Sequence, residues 1–290
     1  MKGSELYYIM LPMLCVVASY TFCSYSDKYF ISKAKMSSNT FTFFLSLSML
    51  VFMGMYLPFD FYFYPNVETI VLIGVFTICK ILEFKLTAFT LTELSAFELK
   101  AWLGLGVFIS YLYDVIFNGV SFSIISLTFI AMTITGLFLI AKDGSKKIDY
   151  KKISLGLVGV VFAKSGYGIV IHRLKDTCSS TLAMCIAFAL ICFGMLFFYN
   201  PVQEFKKRPK DIAKLSAVRV VNTIGSLIEN YVAQISVISY SLIQPLILIV
   251  MFLINILKHE KTSPRGIIGG IICITGIISL QLTRNIWYLL

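Results

Sequence analysis

Residues 239–280 read SYSLIQPLILIVMFLINILKHEKTSPRGIIGGIICITGIISL. Two apolar runs flank a short charged turn, His259 to Arg265. A helix needs about 20 apolar residues to cross a bilayer, and each run approaches that length. Paired runs of this kind satisfy their backbone donors and acceptors internally, as a bilayer requires of any spanning helix. The rest of the 290-residue chain has the same texture, with 58% of residues hydrophobic, 15% aromatic and 14% charged, and a mean hydropathy of +0.85. Soluble domains carry roughly a quarter of charged residues. Composition therefore excludes a soluble enzyme, a nucleic-acid binder and a disordered chain.

Working outward from 239–280, apolar runs recur at 6–26, 40–57, 68–87, 95–115, 121–141, 153–172, 178–199, 212–232, 236–257 and 265–284. The expected fold is all-α, an integral membrane bundle of ten transmembrane helices with the lipid bilayer as its solvent. The net charge of +10 is distributed unevenly over the connections. Sixteen Lys and Arg follow odd-numbered spans and four lie on the opposite side. Short basic loops stay cytoplasmic, which predicts a cytoplasmic linker at 142–152 and both termini outside. The seven cysteines sit inside apolar runs without metal-ligand spacing, the behaviour of small buried hydrophobes. No metal or cofactor is expected.

The chain also repeats itself. Ile134-Thr135-Gly136 returns as Ile274-Thr275-Gly276, SSNTF at 37–41 as SSTLA at 179–183, and SAFELKAWLGL at 95–105 as ISYSLIQPLIL at 238–248. CVVASYTFCSYSDKYFISK at 15–33 has a looser echo in GVVFAKSGYGIVIHRLKD at 159–176. The chain then divides into 1–141, a first five-helix repeat, 142–152, a basic linker, and 153–290, a second five-helix repeat. An odd number of spans per repeat inverts the second copy relative to the first, the plan of alternating-access transporters with a midplane site.

These residues resemble the drug/metabolite transporter superfamily, of the EamA-like ten-helix type. The similarity is clearest at 239–280, where Pro245, Glu260, Gly266, Gly269, Gly270 and Gly276 fill the family's pattern of proline, apolar helix, short turn with Glu and glycine-rich last helix. Trp102 stands where the first repeat of the family has proline. The resemblance implies a secondary transporter whose first, third, sixth and eighth helices line a central cavity. It also places helices five and ten at the periphery, where some members form homodimers.

Ionisable residues at membrane depth are costly and mark functional sites by default. Span three carries Thr77, Lys80, Glu83 and Thr87 on one face, and span eight carries Arg219, Asn222, Thr223, Ser226, Glu229 and Asn230. At an offset of 143 the two stripes correspond, Lys80 to Thr223 and Glu83 to Ser226. A stripe of Ser, Thr and Asn alone suits packing between helices, whereas a buried cation demands more. Lys164 lies mid-span in the sixth helix and corresponds to Tyr20 in the first. Gln244 precedes Pro245, which frees a backbone carbonyl one turn earlier. The expected substrate-binding residues are Tyr20, Lys80, Glu83, Lys164, Arg219, Asn222, Ser226, Glu229 and Gln244. Asp27, Lys28, Lys85, Glu93, Glu98, Lys100 and Asp114 fall near span ends, where interfacial water is expected to hold them, as do His172 and His259.

Deep cations outnumber deep carboxylates, which suits a small anionic or zwitterionic solute such as an amino acid. The expected function is secondary active transport of such a metabolite across the plasma membrane, with Glu83 or Glu229 as candidates for proton coupling. A carrier of nucleotide-linked sugars, sugar phosphates or lipid-linked sugars is the alternative transporter. No Walker loop, HExxH or GxSxG motif occurs, and Tyr113-Asp114 is only half of an intramembrane aspartyl protease signature. An enzyme, a channel or a structural membrane subunit is correspondingly disfavoured.

Overall fold

The computed structural model describes residues 3–141, 150–257 and 264–287, with side chains for 10–141, 153–257 and 264–283. Most of the 142–152 linker and the 258–263 turn, with His259 and Glu260, lie outside the described residues. Helices follow one another along the chain. They are α1 (Gly3–Lys28), α2 (Ser38–Tyr56), α3 (Val67–Glu93), α4 (Ala96–Leu103), α5 (Gly106–Phe117), α6 (Ile124–Ala141) and α7 (Tyr150–Leu174). The second half continues with α8 (Ser180–Leu196), α9 (Pro201–Lys207), α10 (Pro209–Ile235), α11 (Val237–Ser241), α12 (Ile243–Leu257) and α13 (Pro264–Trp287). A π-helical turn, Tyr29–Lys33, extends α1. Among the described residues there is no β-strand, only an isolated bridge between Phe63 and Cys178.

The chain is an all-helical bundle with several helices able to cross a membrane. Among the described residues six units are long and apolar enough: Ser38–Phe59, Ala96–Phe117, Ile124–Ala141, Ile153–Leu174, Val237–Leu257 and Pro264–Thr283. The pair α8 and α9, bent by 89°, makes a seventh if it counts as one span. That is fewer than the expected ten. At α3 and α10 the shortfall has a physical cause, because each is 27 residues long but carries polar groups of the bundle interior. On α3 the side chains facing away from the protein are Ile70, Val71, Ile78 and Leu82, while Lys80 is 3% exposed. On α10 they are Val220, Ile224, Tyr231 and Ile235, with Arg219 and Glu229 buried. Away from their ends both helices are apolar outside and polar inside.

The helix boundaries repeat. Ser37 caps α2 by accepting the Thr40 N–H, and Ser179, 142 residues on, caps α8 by accepting the Leu182 N–H. Ser95 caps α4 in a reciprocal capping box with Glu98, and Ser236, 141 residues on, caps α11. The fourth and ninth apolar runs are both interrupted, the first around Gly104 and Leu105, the second at Leu242. In the ninth run the cause is Pro245, which has no N–H to give to the Ser241 carbonyl.

Packing pairs helices from distant parts of the chain. Helix α1 lies along α10, and α7 along α3. Helix α2 packs on α10 and α8 on α3, while α1 meets α12 and α7 meets α4 and α5. The most extensive pairing joins α6 to α13. There a Cβ on Gly136 would stand 2.6 Å from the Gly269 carbonyl, and one on Gly276 would stand 2.6 Å from Thr133 Oγ1. These small residues bring two backbones together within one chain, so Gly269 and Gly276 offer no surface to a second copy. All seven cysteines are free, and Cys178, Cys185 and Cys192 are buried.

Candidate functional site

The two polar stripes meet in the interior. Lys80 Nζ lies 3.0 Å from Glu83 Oε2, one turn along α3. Lys164 on α7 reaches both carboxylates, Glu83 Oε1 at 3.2 Å and Glu229 Oε1 at 2.9 Å. Glu229 is wholly buried and receives a 2.6 Å hydrogen bond from the Tyr20 hydroxyl, which also lies 2.9 Å from Ser226 Oγ. Two cations and two carboxylates thus form one network across α3, α7, α10 and α1. A buried pair is tolerable only when its remaining lone pairs and protons are satisfied, and aromatic rings complete the set here. Lys80 Nζ stands 3.5 Å above the centre of Tyr167, and Lys164 lies 5.0 Å from Tyr167 and 5.6 Å from Tyr240.

Backbone packing makes these contacts possible. A Cβ on Gly225 would come within 2.9 Å of Tyr20 Cε1, and one on Gly168 within 2.2 Å of Tyr240. Tyr240 is further anchored by its 2.7 Å hydrogen bond to the Lys164 carbonyl.

A second group sits nearer the ends of the helices. Arg219, 1% exposed, donates through Nη2 to Asp27 Oδ1. Lys100 Nζ donates to Gln244 Oε1 at 3.0 Å. Both groups line one cavity of about 90 Å³ together with Tyr20, Lys80, Glu83 and Lys164. Its wall runs from Ser226 out to Asp27, Phe41 and Leu99, which lie within a turn of the end of α1 and the starts of α2 and α4. The cavity therefore lies toward the face that bears the loop after α1 and the junction of α3 with α4.

Of the nine residues the sequence points to, Tyr20, Lys80, Glu83, Lys164, Arg219, Asn222, Ser226 and Gln244 line this cavity. Glu229 stands behind the wall, holding Lys164 and Tyr20 in place. Several residues expected in interfacial water are elsewhere. Asp27 and Lys100 are in the cavity. Lys28 caps the C-terminal end of α3, donating to the Leu91 and Leu94 carbonyls at 2.6 Å each. Glu98 is buried in its capping box, and Asp114 is buried and accepts from Asn118 Nδ2. His172 Nδ1 lies 3.1 Å from the Ala233 carbonyl. Glu93 is exposed and Lys85 half-buried. Tyr167 and Tyr240 gave no sequence signal, since tyrosine in an apolar run reads as packing.

Two clasps tie the loops at the opposite faces. Thr181 donates to Asp60 Oδ2 at 2.5 Å, Tyr62 donates to the Lys175 carbonyl at 2.5 Å, and Ser179 N–H donates to the Tyr62 carbonyl at 3.0 Å. On the other face Thr40 donates to Glu204 Oε2 at 3.5 Å, and Arg208 grips the Ala34 and Lys35 carbonyls at 2.9 and 3.1 Å. Burial, reinforced by the carboxylate of Asp60, lifts the Tyr62 phenol above its usual range, so it remains a donor to the Lys175 carbonyl further into the alkaline range. Among the described residues no group of three or more His, Cys, Asp or Glu could hold a metal ion.

No family model matches the chain, and no curated protein matches it. Solved structures do match in fold. One, described only as "Crystal structure of protein", superposes with a TM-score of 0.66 over 97% of this chain and 99% of its own, at 12% identity. At that identity the likeness concerns the fold alone.

Proposed function

We propose that the protein is a secondary transporter that moves a small anionic or zwitterionic metabolite, such as an amino acid, by alternating access. One observation carries the reading. Polar stripes on α3 and α10, placed at corresponding positions of two similar halves, converge with α1 and α7 on a buried ion-pair network beside a cavity. A packing role would not require four helices to bury two cations against two carboxylates, because apolar residues of similar volume are often as stabilising.

On this reading α1, α3 and α10 cross the membrane as well. Their outward faces are apolar, and their charges are sheltered by one another. With the seven apolar units they make ten spans, in two inverted five-helix halves at 1–141 and 153–290, similar to the drug/metabolite transporter superfamily. Repetition of caps, breaks and helix pairs across the halves supports it. The paired clasps support two-sided gating, since Asp60 with Thr181 and Glu204 with Thr40 are equivalent contacts at opposite faces. The basic loops put the face nearer the cavity on the cytoplasmic side of a plasma membrane, with both termini outside. Proton coupling would run through Glu83, the network carboxylate that the cavity reaches.

Size favours a small solute over a nucleotide-linked sugar. A single water needs roughly 10–15 Å³ of cavity, so about 90 Å³ accommodates several waters or one compact metabolite. The test is uptake or counterflow by purified protein in liposomes. Saturable flux of one such metabolite, abolished by Lys80→Ala and Arg219→Ala, is expected. Flux indifferent to both substitutions, or no saturable flux across a panel of amino and hydroxy acids, would sink the proposal.

A further inference from the structure

We infer that Lys100 and Arg219 form a carboxylate-binding subsite, and that the solute this cavity takes carries a single carboxylate docked between them. The inference rests on the transport reading for its physiological meaning, but its geometry stands by itself. The charges that line or back the cavity fall into three groups. Lys80, Lys164, Glu83 and Glu229 balance one another. Arg219 is balanced by Asp27. Lys100 is left over: its hydrogen-bond partner is the neutral Gln244 Oε1, and among the described residues no carboxylate pairs with it. The cavity thus holds one positive charge in excess, located at Lys100.

Arg219 adds donor capacity beside that charge. It is 1% exposed, lines the cavity, and its Nε is buried with no acceptor among the described residues. An unused guanidinium donor in a buried site costs the full desolvation of that group, so an arriving oxyanion recovers free energy that the empty protein forgoes. Arg219, Asp27 and Lys100 all line this one cavity. A carboxylate is the oxyanion that fits the count. One negative charge neutralises the excess at Lys100, whereas a phosphate monoester dianion would leave the cavity negative next to Asp27 and Glu83.

Binding to the full-length protein in nanodiscs tests this, with lactate, alanine, lactamide and inorganic phosphate as probes. Lactate or alanine is expected to bind and lactamide to bind at least tenfold more weakly, since it keeps the shape and loses the charge. Lys100→Gln is expected to weaken the carboxylate at least tenfold, and Lys100→Arg to stay within about threefold of the unaltered protein. Equal binding of lactate and lactamide overturns the subsite without any variant, and so covers the case in which Lys100→Gln does not fold. Phosphate binding in place of both carboxylates overturns it too, as does an affinity unchanged by Lys100→Gln. Counterflow of the same probes in liposomes separates the two claims. Carboxylate binding without counterflow keeps the subsite and refutes transport of these probes. Counterflow of a neutral solute that is unaffected by Lys100→Gln does the reverse.

Discussion

Lys164→Met strikes the centre of the ion-pair network. The lysine holds Glu83 at 3.2 Å and Glu229 at 2.9 Å, with side-chain exposures of 10%, 15% and 0% for the three residues. Methionine keeps most of the volume and removes both pairs. Glu83 retains Lys80 at 3.0 Å, so its loss is partial. Among the described residues Glu229 retains only the neutral hydroxyl of Tyr20 as a direct partner and becomes a buried carboxylate without a paired cation. Removing one member of a buried pair costs about 3–5 kcal/mol. For a chain of this size that corresponds to a drop in Tm on the order of 10 °C. The double variant Lys164→Met with Glu229→Gln removes the stranded charge together with its partner. It is expected to be less destabilised than the sum of the two single variants by about 2 kcal/mol, a coupling typical of residues in one network. Thermal unfolding of the purified protein in detergent, followed by circular dichroism, measures all four corners of the cycle. If Lys164→Met unfolds within 2 °C of the unaltered protein, or if the two substitutions add, the network is not the buried, coupled unit described above.

Three further outcomes follow from other contacts. Gly276→Leu should lower stability by about 1–3 kcal/mol, because even a Cβ there meets Thr133 Oγ1 at 2.6 Å and the Phe129 carbonyl at 2.9 Å; unchanged unfolding would mean that α6 and α13 do not touch at this point. Lys28→Met removes a charged donor from the Leu91 and Leu94 carbonyls and should cost about 1–3 kcal/mol, read in the same assay and accompanied by faster amide exchange over the last turn of α3. Asp60→Ala breaks one clasp and, on the alternating-access reading, should increase maleimide labelling of Cys23 from that face several-fold. Labelling that stays the same would remove the clasp from any gating role.

Much of the architecture could be read from the amino-acid sequence alone, for a simple reason. Continuous apolar runs of membrane-spanning length form helices, because a helix satisfies its own backbone in a bilayer, whereas the strands of a closed barrel are shorter and alternate in polarity. The similar SSNTF and SSTLA segments proved to hold cap positions, Ser37 and Ser179, because a serine before a helix accepts the N–H three residues on. Eight of the nine residues singled out from the polar stripes line the cavity for a related reason, since polar and charged groups on a largely apolar helix are sheltered by facing the interior. Sequence position was a poor guide near the span ends. Asp27 and Lys100 lie within a turn or two of a helix terminus, and distance from the terminus cannot say whether water or another helix is the neighbour. Only the tertiary packing set Asp27 against Arg219 and Lys100 against Gln244, contacts that span 192 and 144 residues of chain. Tertiary packing also brought Tyr167 and Tyr240 over the lysines, through approaches permitted by a missing side chain on another helix, as at Gly168. Individual charges are legible in a sequence. Which of them remains unbalanced depends on pairings between distant segments, and those exist only once the helices have packed.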